Sequence, residues 1–246
     1  MQTQITIKNA AINSADTDDW IARVYGEQEF AGAGKTNTAF LVPLERRMAA
    51  WVLPKVPRWL ETHHLTMWTP AWSALIVVFS YLAAKDIRWL WMVSLMIVFH
   101  YFTDHFDGKL GKYRDTGLRK WGFYMDHFLD YGFLCSVLIG YSFLLPERSL
   151  FNIMLVLCVF SAFMFHTFLV LAARDEFKIS FLKFGPTEFR IALIIINALL
   201  VKFGPRPLKG ALKWVALGGL IALIIMIFQT QKQLWRLDME ARDVYD

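Results

Sequence analysis

The sequence predicts an all-α integral membrane protein of six transmembrane helices, preceded by a cytoplasmic or interfacial amphipathic helix. Three observations carry that expectation. The chain is 56% hydrophobic and 19% charged, where a soluble domain is about 45–50% apolar. Its apolar residues gather in blocks of about 20, the helical length that crosses a hydrocarbon core. Its cations, finally, fall on alternate connections between those blocks.

The blocks are Met67–Ala84, Trp89–Phe106, Trp121–Leu144, Leu150–Ala173, Phe189–Phe203 and Ala211–Gln229. They divide the chain into a polar N-terminal segment (1–60), a six-helix membrane domain (61–230) and a charged C-terminal tail (231–246). Residues 1–39 are polar, with a short helix expected near Asp18–Gln28. No apolar stretch of the signal-peptide kind occurs among the first thirty residues. Gly34-Lys35-Thr36 has the form of a P-loop tail, but the upstream glycine that motif requires is replaced by Glu29. From Pro43 to Trp59, Leu44, Met48 and Trp51 recur at helical spacing beside Arg46 and Arg47. That pattern predicts an amphipathic helix lying in the interface, with a simple docking helix as the alternative. Cys135 and Cys158 sit inside apolar blocks and are expected as small buried residues without a disulfide.

Orientation follows from the 26 Lys and Arg residues. Nineteen fall on the N-terminal side of the membrane if the spans alternate, and seven on the other: Lys85, Arg88, Arg148, Lys202, Arg206, Lys209 and Lys213. The bias predicts a cytoplasmic N-terminus. The net charge of +5 is accounted for by membrane orientation and by anionic ligands, so no nucleic-acid partner is expected.

The chemistry is concentrated between His100 and Gly132. Asp104 and Asp107 are three apart at the end of the second block, and Asp126 and Asp130 four apart near the start of the third. Each spacing puts a pair on one helix face, and a short antiparallel connection brings the two pairs together. A membrane-embedded aspartate costs about 2.5–3.5 kcal/mol at the bilayer centre, and crowded carboxylates repel. One or two divalent cations remove both penalties, and an all-oxygen set suits Mg²⁺, Mn²⁺ or Ca²⁺ better than zinc. Gly108, Gly111 and Gly122 clear space beside the acids. Lys109, Lys112, Arg114, Arg119 and Lys120 surround that space with the charge a phosphate-bearing substrate needs.

The run Asp104-x-x-Asp107-Gly108-x-x-Gly111-Lys112, followed by Gly122-x-x-x-Asp126-x-x-x-Asp130, resembles the signature of the CDP-alcohol phosphotransferases, DxxDGxxAR then GxxxDxxxD. The sequence departs from that pattern in having Gly111-Lys112 for Ala-Arg and a spacer one residue longer. It also has His63-His64 for Pro-Asn before Leu65-Thr66. The resemblance implies transfer of a substituted phosphoryl group from a CDP-alcohol to a second alcohol, with release of CMP. It implies Mg²⁺ or Mn²⁺, two ions, held by Asp104, Asp107, Asp126 and Asp130. Gly108, Gly111, Lys112 and Gly122 are expected at the nucleotide, and Lys109, Arg114 and Arg119 at its phosphates. Asp130 or His127 is the expected base. His127 belongs to an Asp-His-x-x-Asp order that resembles the amino-alcohol branch. Phe184-Gly185-Pro186-Thr187-Glu188 also resembles a family element, and implies that Glu188 and Arg190 shape the alcohol-acceptor pocket. The same residues suit a helix start.

The family further implies a homodimer among membrane lipids, with a CDP-linked donor and an alcohol acceptor meeting at the cytoplasmic face. CDP-diacylglycerol is the expected donor; CDP-choline or CDP-ethanolamine acting on diacylglycerol is the alternative. A lipid phosphatase would release inorganic phosphate in place of CMP. An ion-coupled transporter is the alternative of another class. It would want polar residues spaced through the bilayer, whereas the half away from the aspartates reads as apolar.

Overall fold

The structure is a computed structural model that describes residues 29–30, 33–36, 41–115, 118–174, 176–178 and 185–243. The expected helix near Asp18–Gln28 lies outside them. The described elements, in chain order, are β1 (Glu29–Phe30), β2 (Ala33–Thr36), α1 (Val42–Val52), α2 (Thr62–Ala83), α3 (Leu90–Arg114), α4 (Arg119–Ser142), α5 (Leu150–Arg174), β3 (Glu176–Lys178), α6 (Pro186–Phe203) and α7 (Arg206–Asp243).

Helices α2 to α7 coincide with the six apolar blocks. Their ends follow local chemistry. At the start of α2 the backbone N–H of Glu61 donates to Nδ1 of His64, 3.1 Å away, so a histidine of the departing His63-His64 pair serves as a cap. Helix α3 ends at Asp115, whose φ of 52° and ψ of 45° lie in the left-handed region that Asp tolerates better than most residues. Helix α6 begins on Pro186, with fixed φ and no N–H to satisfy.

Three helices among the described residues, α2, α5 and α7, are long and apolar enough to cross a membrane. The others are interrupted by charge: α3 by Asp104, Asp107 and Lys109, α4 by Asp126 and Asp130, α6 by Glu188 and Arg190. Large apolar side chains face outward on both kinds, among them Phe165 (63% exposed), Ile195 (54%) and Ile224 (56%). Such a surface is a liability in water and matches a lipid environment. Helix α7, at about 1.5 Å per residue, is about 57 Å long. It exceeds the bilayer core and carries the charged tail onward as helix.

Two apolar clusters organise the bundle. Ile76, Ile97, Phe133 and Leu193 join α2, α3, α4 and α6; Leu138, Val156 and Leu212 join α4, α5 and α7. Helices α3 and α4 pack mainly on α2 and less on one another, so their neighbourhood is enforced by a third helix and not by the short connection alone. Close approach of α2 and α4 depends on Gly140, where an added Cβ would lie 2.8 Å from Cβ of Ser80. Gly219 does the same for α7, with Val159 Cγ1 at 2.8 Å.

Several expectations need correction. The all-α class stands, and beside the helices β1, β2 and β3 pair in a small sheet, antiparallel between β1 and β2 and parallel between β2 and β3. It joins the N-terminal segment to the connection after α5, and no pattern within a two- to four-residue strand could announce it. The connection after the second block is mostly helix, so Lys109, Lys112 and Arg114 ride on the last turns of α3. Helix α1 docks through Ala49 and Leu53, both fully buried, against Phe106 and Leu110 of α3. Leu44 and Trp51 of that helix are left 63% and 67% exposed. Cys158 is exposed, not buried, and both cysteines are free. The half of the bundle away from the aspartates is not wholly apolar either. Tyr141 donates to Oδ1 of Asn197 at 3.0 Å, Asn197 Nδ2 to Ser94 at 3.1 Å, and Ser94 to the carbonyl of Leu90 at 3.0 Å. Asn197 is fully buried, and the chain of bonds leaves it satisfied.

Candidate active site

Asp104 and Asp107 stand on α3 where the apolar stretch gives way to charge, and Asp126 and Asp130 on the second and third turns of α4. Carboxylate oxygens of Asp104, Asp126 and Asp130 lie within 4.8 Å of one another. The Asp104 side chain is 14% exposed and that of Asp130 31%, so the cluster is closed on the α3 side and open on the α4 side.

Asp107 is the fourth acid, and it faces differently. It is 7% exposed, and its Oδ2 lies 2.8 Å from Oγ1 of Thr66 on α2. Thr66, 1% exposed, is a donor of α2 that reaches the acidic helix, a role the sequence did not disclose. Around the acids, an added Cβ at Gly108 or Gly122 would meet nothing within 4 Å, so those glycines border open space as their place in the motif implies.

The centre of the cluster is Arg190 of α6. Its Nη2 lies 2.8 Å from Oδ2 of Asp104 and 2.9 Å from Oδ1 of Asp130, and its guanidinium carbon is 5.4 Å from the ring centre of Phe133. The residue is 4% exposed. A lone arginine between Phe189 and Ile191 is tenable in an apolar helix because it is paired; that neighbourhood was the available sequence signal. Arg190, expected with Glu188 at the acceptor pocket, turns its guanidinium to the acids. His100, fully buried, stands 3.4 Å from Nη2 through its Nδ1 and packs on Phe133. Arg190 Nε and His100 Nε2 have no hydrogen-bond partner among the described residues.

Glu188 is occupied elsewhere. Its carboxylate accepts from the backbone N–H of Leu41 at 3.1 Å and of Gly185 at 3.0 Å, and so ties the start of α6 to the start of α1. Thr187 donates to Glu45 of α1 beside it. Both bonds hold the start of α6 against α1. Arg114 is likewise redirected: Nη2 donates to the carbonyls of Val56 and Pro57, each at 2.9 Å, and Nη1 to that of Leu60. The guanidinium is thus held on the proline-rich turn between α1 and α2. Lys109 pairs with His105 of the preceding turn at 2.8 Å, and His105 faces Glu45 of α1. Gly111 and Lys112 lie half-buried on the same turns of α3. The Arg119 side chain falls outside the described residues.

His127 follows Asp126 on α4. Its Nδ1 lies 2.6 Å from the carbonyl oxygen of Phe123; a carbonyl only accepts, so that nitrogen carries a proton. The arrangement can hold a cation and move a proton. Three carboxylates face one guanidinium, so the cluster keeps net negative charge after Arg190 is counted. The set is all-oxygen, as Mg²⁺ or Mn²⁺ requires, and the donors fit such an ion.

Comparison with known proteins agrees with this chemistry. No curated protein matches the chain. A family model described as CDP-alcohol phosphatidyltransferase matches residues 62–228, from the first residue of α2 to well inside α7, and so includes every aspartate of the cluster and Arg190. By that match, which spans well over half its length, the chain belongs to the CDP-alcohol phosphatidyltransferase family, a family of membrane transferases.

Proposed function

We propose that this protein transfers a substituted phosphoryl group from a CDP-alcohol, with CDP-diacylglycerol the preferred donor, to the hydroxyl of a second alcohol. The observation that carries the reading is the meeting of Asp104, Asp126 and Asp130 within 4.8 Å inside the residues that match the family. In the reaction the acceptor oxygen bonds to the β-phosphorus of the donor, the bond from that phosphorus to CMP breaks, and the hydroxyl proton passes to the protein.

Asp104, Asp126 and Asp130 would hold divalent ions, with Asp107 completing the set. Bound there, Mg²⁺ or Mn²⁺ supplies neutralisation of the diphosphate and of the charge developing on CMP. Asp130, on the open side, is placed to take the acceptor proton. Gly108 and Gly122 leave room for the nucleotide, and Lys112 offers it a cation. Six crossings, a cytoplasmic site and a homodimer complete the reading, with α1 at the interface and residues 61–230 as the catalytic domain. Transport is the weaker class: the polar bridge from Tyr141 to Ser94 is closed on itself by hydrogen bonds.

A second reading is favoured by one observation. Nδ1 of His127 lies 3.6 Å from Oδ2 of Asp126, so an imidazole adjoins the carboxylates, as suits a CDP-choline or CDP-ethanolamine donor acting on diacylglycerol. The test is CMP release by purified protein in mixed micelles with Mg²⁺ or Mn²⁺, offering each donor with its acceptors. Metal-dependent CMP from one pairing establishes the class and the substrates. Release of inorganic phosphate in place of CMP would refute the transfer.

A further inference from the structure

The opposite end of the bundle holds a cavity of about 710 Å³. At about 1.5 Å per residue, the helix from Asp126 to Ser142 separates it from the aspartates by about 24 Å. Its polar lining is Ser149, Asn152, Arg206, Lys209 and Lys213, with Leu144 among its apolar walls. The cations have one origin: Arg206 opens α7, and Lys209 and Lys213 follow at three and four residues, on one helix face. No acid is among the lining residues, and Glu147 is exposed on the turn before α5.

The chemistry of the floor is independent of those cations. Ser149 is 1% exposed, and its hydroxyl has no hydrogen-bond partner among the described residues. It immediately precedes Leu150, the first residue of α5, so the N-terminal turns of α5 and α7 both border the space. The helix dipole favours an anion at such ends. An orphaned buried hydroxyl is costly unless a ligand bonds it. Gly210 keeps the wall low, since an added Cβ there would meet nothing within 4 Å.

We propose that this cavity binds the phosphate of an anionic membrane lipid, with Arg206, Lys209 and Lys213 neutralising it and Ser149 donating to it. The lipid source is favoured by the rim: Phe151 (67% exposed), Phe203 (59%) and Trp214 (64%) flank the lining residues and present apolar surface for acyl chains. Lys213 sits 5.3 Å from the Trp214 ring centre, the pairing of cation and aromatic that favours a membrane interface. The proposal does not depend on the transferase reading.

The test is lipid retention by the full-length protein, read by native mass spectrometry after exchange into micelles doped with phosphatidylglycerol or phosphatidylcholine. Phosphatidylglycerol should be retained at least about tenfold better, and the triple variant Arg206→Gln, Lys209→Gln, Lys213→Gln should lose that preference. Lys232→Gln with Arg236→Gln, at the other end of α7, should keep it. An unchanged preference in the triple variant would overturn the site. Displacement of the lipid by millimolar inorganic phosphate would overturn the lipid as its source. If the triple variant does not fold, Lys209→Gln and Ser149→Ala are read separately: a several-fold weaker preference supports the site and an unchanged one overturns it.

Discussion

Replacing Arg190 by Gln tests the electrostatic reading of the cluster. The guanidinium is 4% exposed and touches Asp104 at 2.8 Å and Asp130 at 2.9 Å. Glutamine keeps an N–H donor but no charge, so three carboxylates within 4.8 Å would face one another without a counter-ion. Removing one partner of a buried ion pair costs about 3–5 kcal/mol, which for a chain of this length corresponds to a fall in Tm of about 6–20 °C. We predict that loss in EDTA. A divalent ion should then restore more to the variant than it gives the wild type, because it no longer shares the oxygens with Arg190. At a hundred times its Kd, one bound ion adds about 2.7 kcal/mol. The assay is thermal unfolding in detergent, with and without Mg²⁺ or Mn²⁺. Equal Tm values for variant and wild type in EDTA would refute the counter-ion role. Equal metal-induced shifts would refute the competition.

Three further outcomes are expected. Asp107→Asn keeps an oxygen for Thr66, so it should abolish CMP release while moving stability by less than about 1 kcal/mol; retained turnover would remove Asp107 from the required ligands. Glu188→Gln leaves one amide oxygen for two backbone donors, Leu41 and Gly185, and should cost about 1–2 kcal/mol. Its signature is faster proteolysis just before α1 with acceptor KM unchanged, whereas a raised KM with no change in proteolysis would return Glu188 to the acceptor pocket. Gly140→Leu drives a side chain into Ser80, where even a Cβ would come within 2.8 Å of its Cβ, and should cost about 1–3 kcal/mol by overpacking. Gly140→Ala should be milder and should recover when combined with Ser80→Gly; no recovery would place the clash elsewhere.

Much of this site was legible because its chemistry is periodic. The spacing of four residues puts Asp126 and Asp130 on one helix face, where they meet Asp104, whereas Asp107, three residues from Asp104, turns to Thr66 instead. The helices were legible for the same reason, since an apolar block about 20 residues long has few alternatives to a helix in lipid. The partners that arrive from distant sequence were not. Thr66 stands 41 residues from Asp107 and Arg190 stands 60 from Asp130, and no local period connects them. The small sheet was hidden similarly, because the partner of β2 is the short β3 beyond α5.

Arg114 and Arg190 show where charge alone misleads. Read as composition, Arg114 belongs with the basic residues after Asp107, and Arg190 with the acidic Glu188 two residues earlier. The geometry separates them: Arg114 donates to carbonyls of the turn that follows α1, while Arg190 enters the acids. The distinction follows from solvent. Arg114 sits at the end of α3, where carbonyls of an irregular turn compete for its donors. Arg190 lies one turn into α6, walled by Phe133 and His100, where an unpaired charge is untenable and carboxylates are the available partners. A cation in an apolar helix is therefore evidence for an anion across the bundle. By that logic the seven cations expected opposite the aspartates merit the same question, and Arg206, Lys209 and Lys213 answer it with a cavity that has no acid among its lining residues.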